Sequence, residues 1–282
     1  MSEIKSQTLG GVAETMLITL YLLAMESLRP DALIKDEKAV ALVKQISYDF
    51  ARVRQVPMSE VNKVTIILRN REFDRYTRDF LSQHPEAVVV HIGCGFVSRF
   101  ERVDNGLVEW YDLDLPEVIE LRRELIGGEE ERYHLLGCSV LDNAWIDKVN
   151  PHCQLPFLFL AEGVSMYFEE AQVKSLVLML HDHFPGAELI FDAFSPFHVW
   201  RSNLQISIAR LSDRFPRLYW GLWRAQEVED WGEGIHLLDD WGYLASPEPR
   251  LSYYRWARHI SLAPRAGRIY HFRLSNLAEG NE

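Results

Sequence analysis

Residues 87–114 constrain this chain of 282 residues more than any other stretch. Val88-Val89-Val90-His91-Ile92 is an apolar, β-branched run that ends in Gly93-Cys94-Gly95. Such a run suits a strand buried on both faces of a sheet. The two glycines supply a tight turn and let the backbone approach a ligand closely. A second run, Leu107–Asp114, follows and ends in Asp112 and Asp114 ahead of Pro116. Strand, glycine turn, helix, strand and terminal acid is the plan of a nucleotide-binding βαβ unit, in which the acid reaches ribose hydroxyls. Gly93-x-Gly95-x-x-Ser98 lacks the third glycine of the dinucleotide fingerprint, which disfavours a nicotinamide cofactor. A ligand without a pyrophosphate fits better. The plainer reading is a tight turn in an α/β core, and this stretch alone does not separate the two.

The flanking segments fit a parallel sheet under a helical cover. Residues 1–85 read as helical. Val12–Met25 is apolar, preceded by Gly10-Gly11 and followed by the turn Pro30-Asp31. Asp36–Ile46 is a shorter amphipathic helix. Ser59-Glu60-Val61-Asn62 starts another, and Val64, Ile67 and Leu68 carry its stripe on toward Leu81. Its arginines, Arg69, Arg71, Arg75 and Arg78, form a solvated face unless one turns inward to grip a carboxylate. Strands are expected at Val88–Ile92, Leu107–Asp112, Tyr133–Leu136, Pro156–Ala161 and Glu188–Ala193, with helices at Glu117–Ile126 and Glu169–His183. That alternation implies a parallel sheet with helices on both faces. Phe194–Trp231 reads as irregular and aromatic-rich, and Ile235–Leu238 and Ile269–Leu274 as two closing strands. The expected organisation is one structural unit: a helical N-terminal cap, 1–85, on an α/β core, 86–282, with an insertion at about 194–231.

Composition narrows the partners. Formal charge is −11, which argues against nucleic acid, because binding phosphates needs a basic stripe. Cys94, Cys138 and Cys153 are sparse, odd in number and without a CxxC pair, as in a reducing compartment. No apolar run reaches membrane-spanning length, and Met1–Gln7 has no signal-peptide pattern. The expectation is a cytoplasmic enzyme acting on a small molecule, with no membrane partner and an open oligomeric state.

In an open parallel sheet, ligands bind beyond the carboxyl ends of the strands. There the sequence places Gly93-Cys94-Gly95, Asp112 and Asp114, Ser139-Val140, Glu162-Gly163 and Asp192–Ser195. Carboxylates take ribose hydroxyls and attract a cation, and small residues admit an adenine. S-adenosylmethionine combines those groups. Each acid alone is more often a cap or turn residue; their convergence on one edge favours a site. Gly163-Val164-Ser165-Met166-Tyr167 is similar to a nucleophile elbow, but Tyr167 stands where the second glycine belongs. An α/β hydrolase would also need a placed histidine and acid. His91, Cys94, His134 and Cys138 lack metal-ligand spacing, so no metal is expected.

Three segments together resemble the leucine carboxyl methyltransferase family: Gly93-Cys94-Gly95 with Ser98-Arg99-Phe100, Asp112-Leu113-Asp114-Leu115-Pro116-Glu117, and Ala161-Glu162-Gly163-Val164-Ser165-Met166-Tyr167. Glu14-Thr15, Asp36 and Arg69-Asn70-Arg71 match its bacterial branch, the polyketide-type O-methyltransferases. The resemblance covers most of residues 10–275. It implies a Rossmann-like class I methyltransferase sheet, mostly parallel with a final antiparallel strand, beneath a helical cap. It implies S-adenosylmethionine as cofactor and S-adenosylhomocysteine as product. By the same resemblance Gly93, Cys94 and Gly95 line the cofactor. Asp114 binds its ribose with Leu115 alongside, Ser139 and Val140 meet the adenine, and Glu162 and Gly163 approach its amino-acid part. An N-terminal arginine binds a carboxylate; Arg69 is the match, and Arg71 is the rival register and a candidate for the acceptor. Many relatives carry an Asp beside the adenine where this chain reads Cys138-Ser139-Val140. Ser139 still offers a hydrogen bond there, weaker than a charge-assisted one.

The implied reaction is methyl transfer to oxygen of a small acidic acceptor, a carboxylate of a polyketide-like or other secondary metabolite. A carboxylate is ionised at pH 7, so no catalytic base is assigned. The acceptor is expected between the cap and residues 194–231, with Tyr167, Phe194 and His198 in its lining. The alternative from another class is a non-catalytic fold-mate, with Tyr219, Trp220, Trp223 and Trp231 forming an interaction surface.

Overall fold

The computed structural model describes residues 10–275 apart from 55, 57, 213–214 and 252–266; the side chains of 10–14, 52 and 54 are also outside the description. Met1–Gln7, read above for a leader, and the Glu14 side chain therefore lie outside the described residues. Helices come first: α1 (Gly10–Ser27), α2 (Glu37–Gln45), α3 (Ala51–Arg54) and α4 (Glu60–Gln83). Asp36 caps α2 by accepting from the Ala39 amide at 2.8 Å, and Ser59 caps α4 by accepting from the Asn62 amide. Leu17, Leu20 and Leu23 of α1 are buried with Leu42 of α2 and Ile67 of α4, so the leading helices share one apolar cluster. The alternating part follows as β1 (Val88–Ile92), α5 (Arg99–Val103), β2 (Glu109–Asp114), α6 (Pro116–Leu125), β3 (Tyr133–Gly137), α7 (Ile146–Val149), β4 (Phe157–Ala161), α8 (Glu170–His183) and β5 (Ala187–Phe194). The chain continues through α9 (Pro196–Ile208), α10 (Gln226–Glu229), β6 (Ile235–Gly242) and β7 (Gly267–Leu274).

The strands form one seven-stranded sheet in the order β3-β2-β1-β4-β5-β7-β6. β1 to β5 pair parallel, and β7 is antiparallel to both β5 and β6. This is the mostly parallel sheet with a final antiparallel strand that the sequence led us to expect. β1, inside the sheet between β2 and β4, is buried at every residue. Its side chains alternate as a pleated strand requires. Val88, Val90 and Ile92 join the cluster of Trp145 and the inner face of α8, whereas Val89 joins Phe73 and Tyr76 of α4.

Register builds the functional edge. Ile92 pairs with Leu113 and with Ala161, Ala161 pairs with Phe191, and Asp114 pairs with Gly137. One residue further on, Gly137, Asp114, Gly93, Glu162 and Asp192 therefore stand in a single row across five adjacent strands.

Several elements differ from the sequence reading: β2 runs Glu109–Asp114 rather than Leu107–Asp112, which draws Asp112 into the sheet, and α3, α7 and α10 are not among the expected elements. The expected irregular region contains α9, a helix of 13 residues with Ser195 as N-cap and Pro196 in its first turn. Its larger apolar residues, Phe197, Trp200, Leu204 and Ile208, are exposed and Val199 is buried, so the pattern of a core-facing helix is missing. β6 runs past Leu238 through Asp239 and Asp240 to Gly242, with a register shift between Leu237 and Asp239. Acids are poor strand formers, and edge pairing to β7 overrides that preference here.

Asp112 lies inside the sheet rather than at its ligand edge. It is 1% exposed and accepts from Trp110 Nε1 at 2.9 Å and Tyr133 Oη at 2.5 Å, with Arg122 NH2 at 2.5 Å and His91 Nδ1 at 3.2 Å. Burial alone would raise its pKa; the Arg122 guanidinium and the bonds from His91 and Tyr133 outweigh that and hold the carboxyl well below its usual range. Breaking a buried pair leaves a charge uncompensated, so Asp112→Ala should lower stability by about 3–5 kcal/mol in urea unfolding. A loss below about 1 kcal/mol would remove Asp112 from this structural role.

Candidate functional site

The turn after β1 is shaped from both sides. Gly93 and Gly95 have φ of +64° and +49°, the left-handed region that favours glycine. A methyl group at Gly93 would collide with Val164 of the loop after β4, and one at Gly95 would lie 3.2 Å from Met16 of α1. Arg122 of α6 donates to the Gly95 and Val97 carbonyls at 2.8 Å each, so the ion pair with Asp112 also pins this loop. Asp114 closes it: its two carboxylate oxygens accept the Gly95 and Leu115 amides, each at 2.8 Å. Burial raises the Asp114 pKa, against the pull of those amides. Leu115 is exposed beside it, and Cys94 is buried beneath the turn.

At β4 and β5 the edge carries a chain of buried ion pairs. Arg69 of α4 turns inward; its Nε donates to Glu162 at 2.8 Å and its NH1 to Asp192 at 3.3 Å. Arg99 of α5 is fully buried and divides its guanidinium among Asp74, His91 and Glu162, the last through a very short contact. Arg102 continues the chain to Asp74 at 2.7 Å and to Asp36, whose other oxygen accepts from Ser98. Asp192 also accepts from the Gly163 amide at 2.5 Å and from Tyr243 Oη. Burial would raise the Glu162 pKa, but Arg69 and Arg99 together hold it below the usual value. Burial prevails at Asp192, whose pKa is raised despite Arg69 and Tyr243.

Arg69 and Arg71 thus diverge. Arg71 pairs with its neighbour Glu72 at 2.9 Å, away from the Glu162–Asp192 cluster. At the end of β3, Ser139 Oγ accepts the Leu141 amide at 3.2 Å, and buried Val140 gives its carbonyl to Trp145 Nε1. An open groove of 740 Å³ between α8 and residues 140–143 includes Val140 alone among the expected site residues. Tyr167 follows the β4 loop and shares a hydrogen bond with Thr15 of α1. His198 stacks on Phe194, with ring centroids 4.6 Å apart, at the start of α9. Ser165 donates its hydroxyl to the Asp192 carbonyl and bonds to no histidine among the described residues, so the elbow-like segment lacks an activated nucleophile.

Sequence reasoning missed Arg99, Arg102, Asp74 and Tyr243 as parts of this edge, and treated His91 as a core or turn residue. Arg99 was visible only as part of a motif. Nothing in its local pattern distinguishes a buried arginine from a solvated one, because its partners lie 25 and 63 positions away. Among the described residues, no group of three or more histidines, cysteines or acids is placed to hold a metal. No helix among them is long and apolar enough to cross a membrane.

The strand order, the glycine turn at positive φ and the acids after β2, β4 and β5 define a Rossmann-like methyltransferase. The leucine carboxyl methyltransferase family matches this chain over residues 16–181. The tetracenomycin polyketide synthesis O-methyltransferase TcmP of Streptomyces glaucescens is 34% identical over 240 residues, 85% of this chain and 86% of that protein. The S-adenosyl-L-methionine-dependent methyltransferase dpfgK of Gibberella zeae is 31% identical over 202 residues, 66% of this chain and 67% of that one. A solved DUF574-family protein from Streptomyces avermitilis shares the fold, with a TM-score of 0.58 at 15% identity over 92% of this chain and 96% of its own. The chain belongs to the leucine carboxyl methyltransferase family, and it is an S-adenosylmethionine-dependent methyltransferase.

His198 gives this region a pH signature. Burial, then the neighbouring Arg201, lowers its pKa to about 4, below the unfolded value near 6.5. The corresponding stability is present above about pH 6.5 and is lost as pH falls toward 4. His198→Gln should flatten the acid side of the Tm-versus-pH profile by roughly 1–3 kcal/mol. Superimposable wild-type and variant profiles between pH 7 and about 4 would contradict the assignment.

Proposed function

We propose that this enzyme transfers a methyl group from S-adenosylmethionine to oxygen of a small acidic acceptor, a carboxylate of a polyketide-like or other secondary metabolite. The observation that carries the cofactor half is the charge of the edge. At the edge itself Asp114, Glu162 and Asp192 meet two guanidiniums, Arg69 and Arg99, and Arg99 is shared with Asp74. A surplus of fixed carboxylates behind a glycine turn suits a cationic ligand with a ribose. The residues present therefore fit the cofactor, which supplies a methyl group on a positively charged sulfur.

In this reading Gly93, Cys94 and Gly95 line the cofactor. Asp114, fixed by two amides, takes the ribose hydroxyls beside Leu115. Ser139 and Val140 border the adenine, and Glu162 and Gly163 border the amino-acid part. Arg69 is the arginine for the cofactor carboxylate, supported by its position between Glu162 and Asp192. Tyr167, Phe194 and His198 line the acceptor side, and Arg71 contributes at most to its rim. The helices before β1 serve as the cap. An ionised acid needs no general base, so the protein's work is to orient it and exclude water. The TcmP relationship supports a polyketide-type acid as acceptor.

Isothermal titration with S-adenosylhomocysteine should show one site per chain. Asp114→Ala should weaken that binding by about 1.5–3 kcal/mol, the usual range for bonds to a charged group. Arg69→Gln should weaken it by at least about tenfold, whereas Arg71→Gln should change it by less than about twofold. The reverse pattern at the two arginines would reassign the carboxylate contact.

Labelled cofactor screened against aromatic and aliphatic carboxylic and phenolic acids should mark a carboxylic acid. The product should release methanol in mild alkali, as an ester does and a phenol ether does not. Activity is expected to withstand EDTA. Loss on chelation with recovery on a divalent ion would replace this mechanism by a metal-assisted one, and no turnover with any acid in a cofactor-binding protein would favour the non-catalytic reading.

A further inference from the structure

Thirteen described arginines carry an ion pair to a carboxylate: Arg29, Arg69, Arg71, Arg75, Arg78, Arg99, Arg102, Arg122, Arg123, Arg132, Arg250, Arg268 and Arg273. Among the described residues, the guanidiniums of Arg201, Arg210, Arg217 and Arg224 have none, and all four residues are exposed. They fall in one segment, and that segment holds a single acid, Asp213, between Ala193 and Gln226. In a chain of net charge −11 this stretch is locally cationic, with Glu227 at its far end accepting the Arg224 amide at 3.0 Å.

The same segment holds the apolar surface. Among the described residues, six of the eleven exposed large hydrophobic side chains lie between residues 197 and 223: Phe197 at 47%, Trp200 at 59%, Leu204 at 44%, Ile208 at 72%, Tyr219 at 55% and Trp223 at 38%. The first four recur at helical spacing and form one outward stripe of α9. The opposite side of α9 is anchored: Val199 packs with Met166 and Leu218, and the Asn203 side chain bonds both the amide and the carbonyl of Leu218. Side chains of this size present roughly 150–250 Å² each when fully exposed. Six at about half exposure leave roughly 450–750 Å², at or above the upper end of what an unpartnered monomer shows.

We propose, against the composition-based expectation of no membrane partner, that α9 and the Arg217–Arg224 segment dock this enzyme on an anionic lipid bilayer surface without crossing it. A protruding ridge of Trp, Phe, Leu and Ile beside unpaired arginines is the composition of an interfacial helix. Each arginine near such a surface contributes about 1 kcal/mol, and aromatic rings settle at headgroup level. A second copy meets the charge condition poorly, since its own face carries the same four unpaired cations. The rest of the acidic molecule stands behind this face, where screening within a Debye length of about 8 Å weakens its repulsion. Docking here would hold the wall of the expected acceptor pocket, Phe194 at the end of β5 and His198 in the first turn of α9, against the phase into which an apolar acid partitions.

The test is co-sedimentation of the full chain with phosphatidylcholine vesicles prepared with and without phosphatidylserine. Binding should require phosphatidylserine and weaken as salt rises from about 0.1 M to about 0.5 M. Arg210→Gln with Arg217→Gln should weaken it by about 25-fold, as expected for two cations of about 1 kcal/mol each. Trp200→Glu with Ile208→Glu should abolish it. S-adenosylhomocysteine affinity and the circular dichroism melt, unchanged in both variants, show that the fold is intact. Wild-type protein that ignores anionic vesicles overturns the proposal, as does binding insensitive to both variants. Self-association in the ultracentrifuge that the Trp200→Glu and Ile208→Glu pair removes, without vesicle binding, would assign the face to a second copy instead.

Discussion

Arg99 is the interaction on which the rest depends. A guanidinium with no exposure to solvent needs its donors met, and Asp74, His91 and Glu162 take one bond from each of its three nitrogens, from α4, β1 and the end of β4. The helical cover and the sheet are therefore joined by charge as well as by apolar packing. Through Glu162 the bond reaches Arg69, and through His91 it reaches Asp112, Arg122 and the carbonyls of the glycine turn. Both halves of the candidate edge hang on one side chain. Such networks are high-stakes: fully satisfied they specify a single arrangement, and partly satisfied they cost more than an apolar core.

This dependence explains why some of the molecule was legible in sequence and some was not. β1 was bounded correctly at both ends, because a buried parallel strand leaves an unbroken apolar run and glycines stop it. Parallel pairing then carries strand ends to one edge, so Asp114, Glu162 and Gly163 could be placed near the turn without knowing any side-chain contact. The choice between Arg69 and Arg71 was beyond local pattern, since both sit on one helix and only tertiary partners distinguish them. The same holds for Asp112, which has the composition of an edge acid and the surroundings of a core one. α9 escaped because the usual rule, apolar side inward, is inverted along its exposed stripe.

α1 adds a second kind of control. Met16 lies over Gly95, and Thr15 bonds Tyr167, so the first helix meets the glycine turn and the β4 loop together. These contacts are a thioether against a backbone and one hydrogen bond between side chains. Neither compares with the ion pairs beneath them. The floor of the site is thus held by ion pairs, and α1 above it chiefly by packing against α2 and α4.

The row of Gly137, Asp114, Gly93, Glu162 and Asp192 has a consequence for how such an enzyme diversifies. Neighbouring strands are spaced by backbone hydrogen bonds at about 4.8 Å, so four intervals fix the row at about 19 Å. That distance is a ruler ruled in peptide units. No side-chain substitution can stretch or shorten it, and a register slip would destroy it outright. What is free to vary lies above the row, in helices and loops that answer to no such spacing. Lineages built on this sheet can change the molecule they modify without re-learning the one they draw the methyl group from.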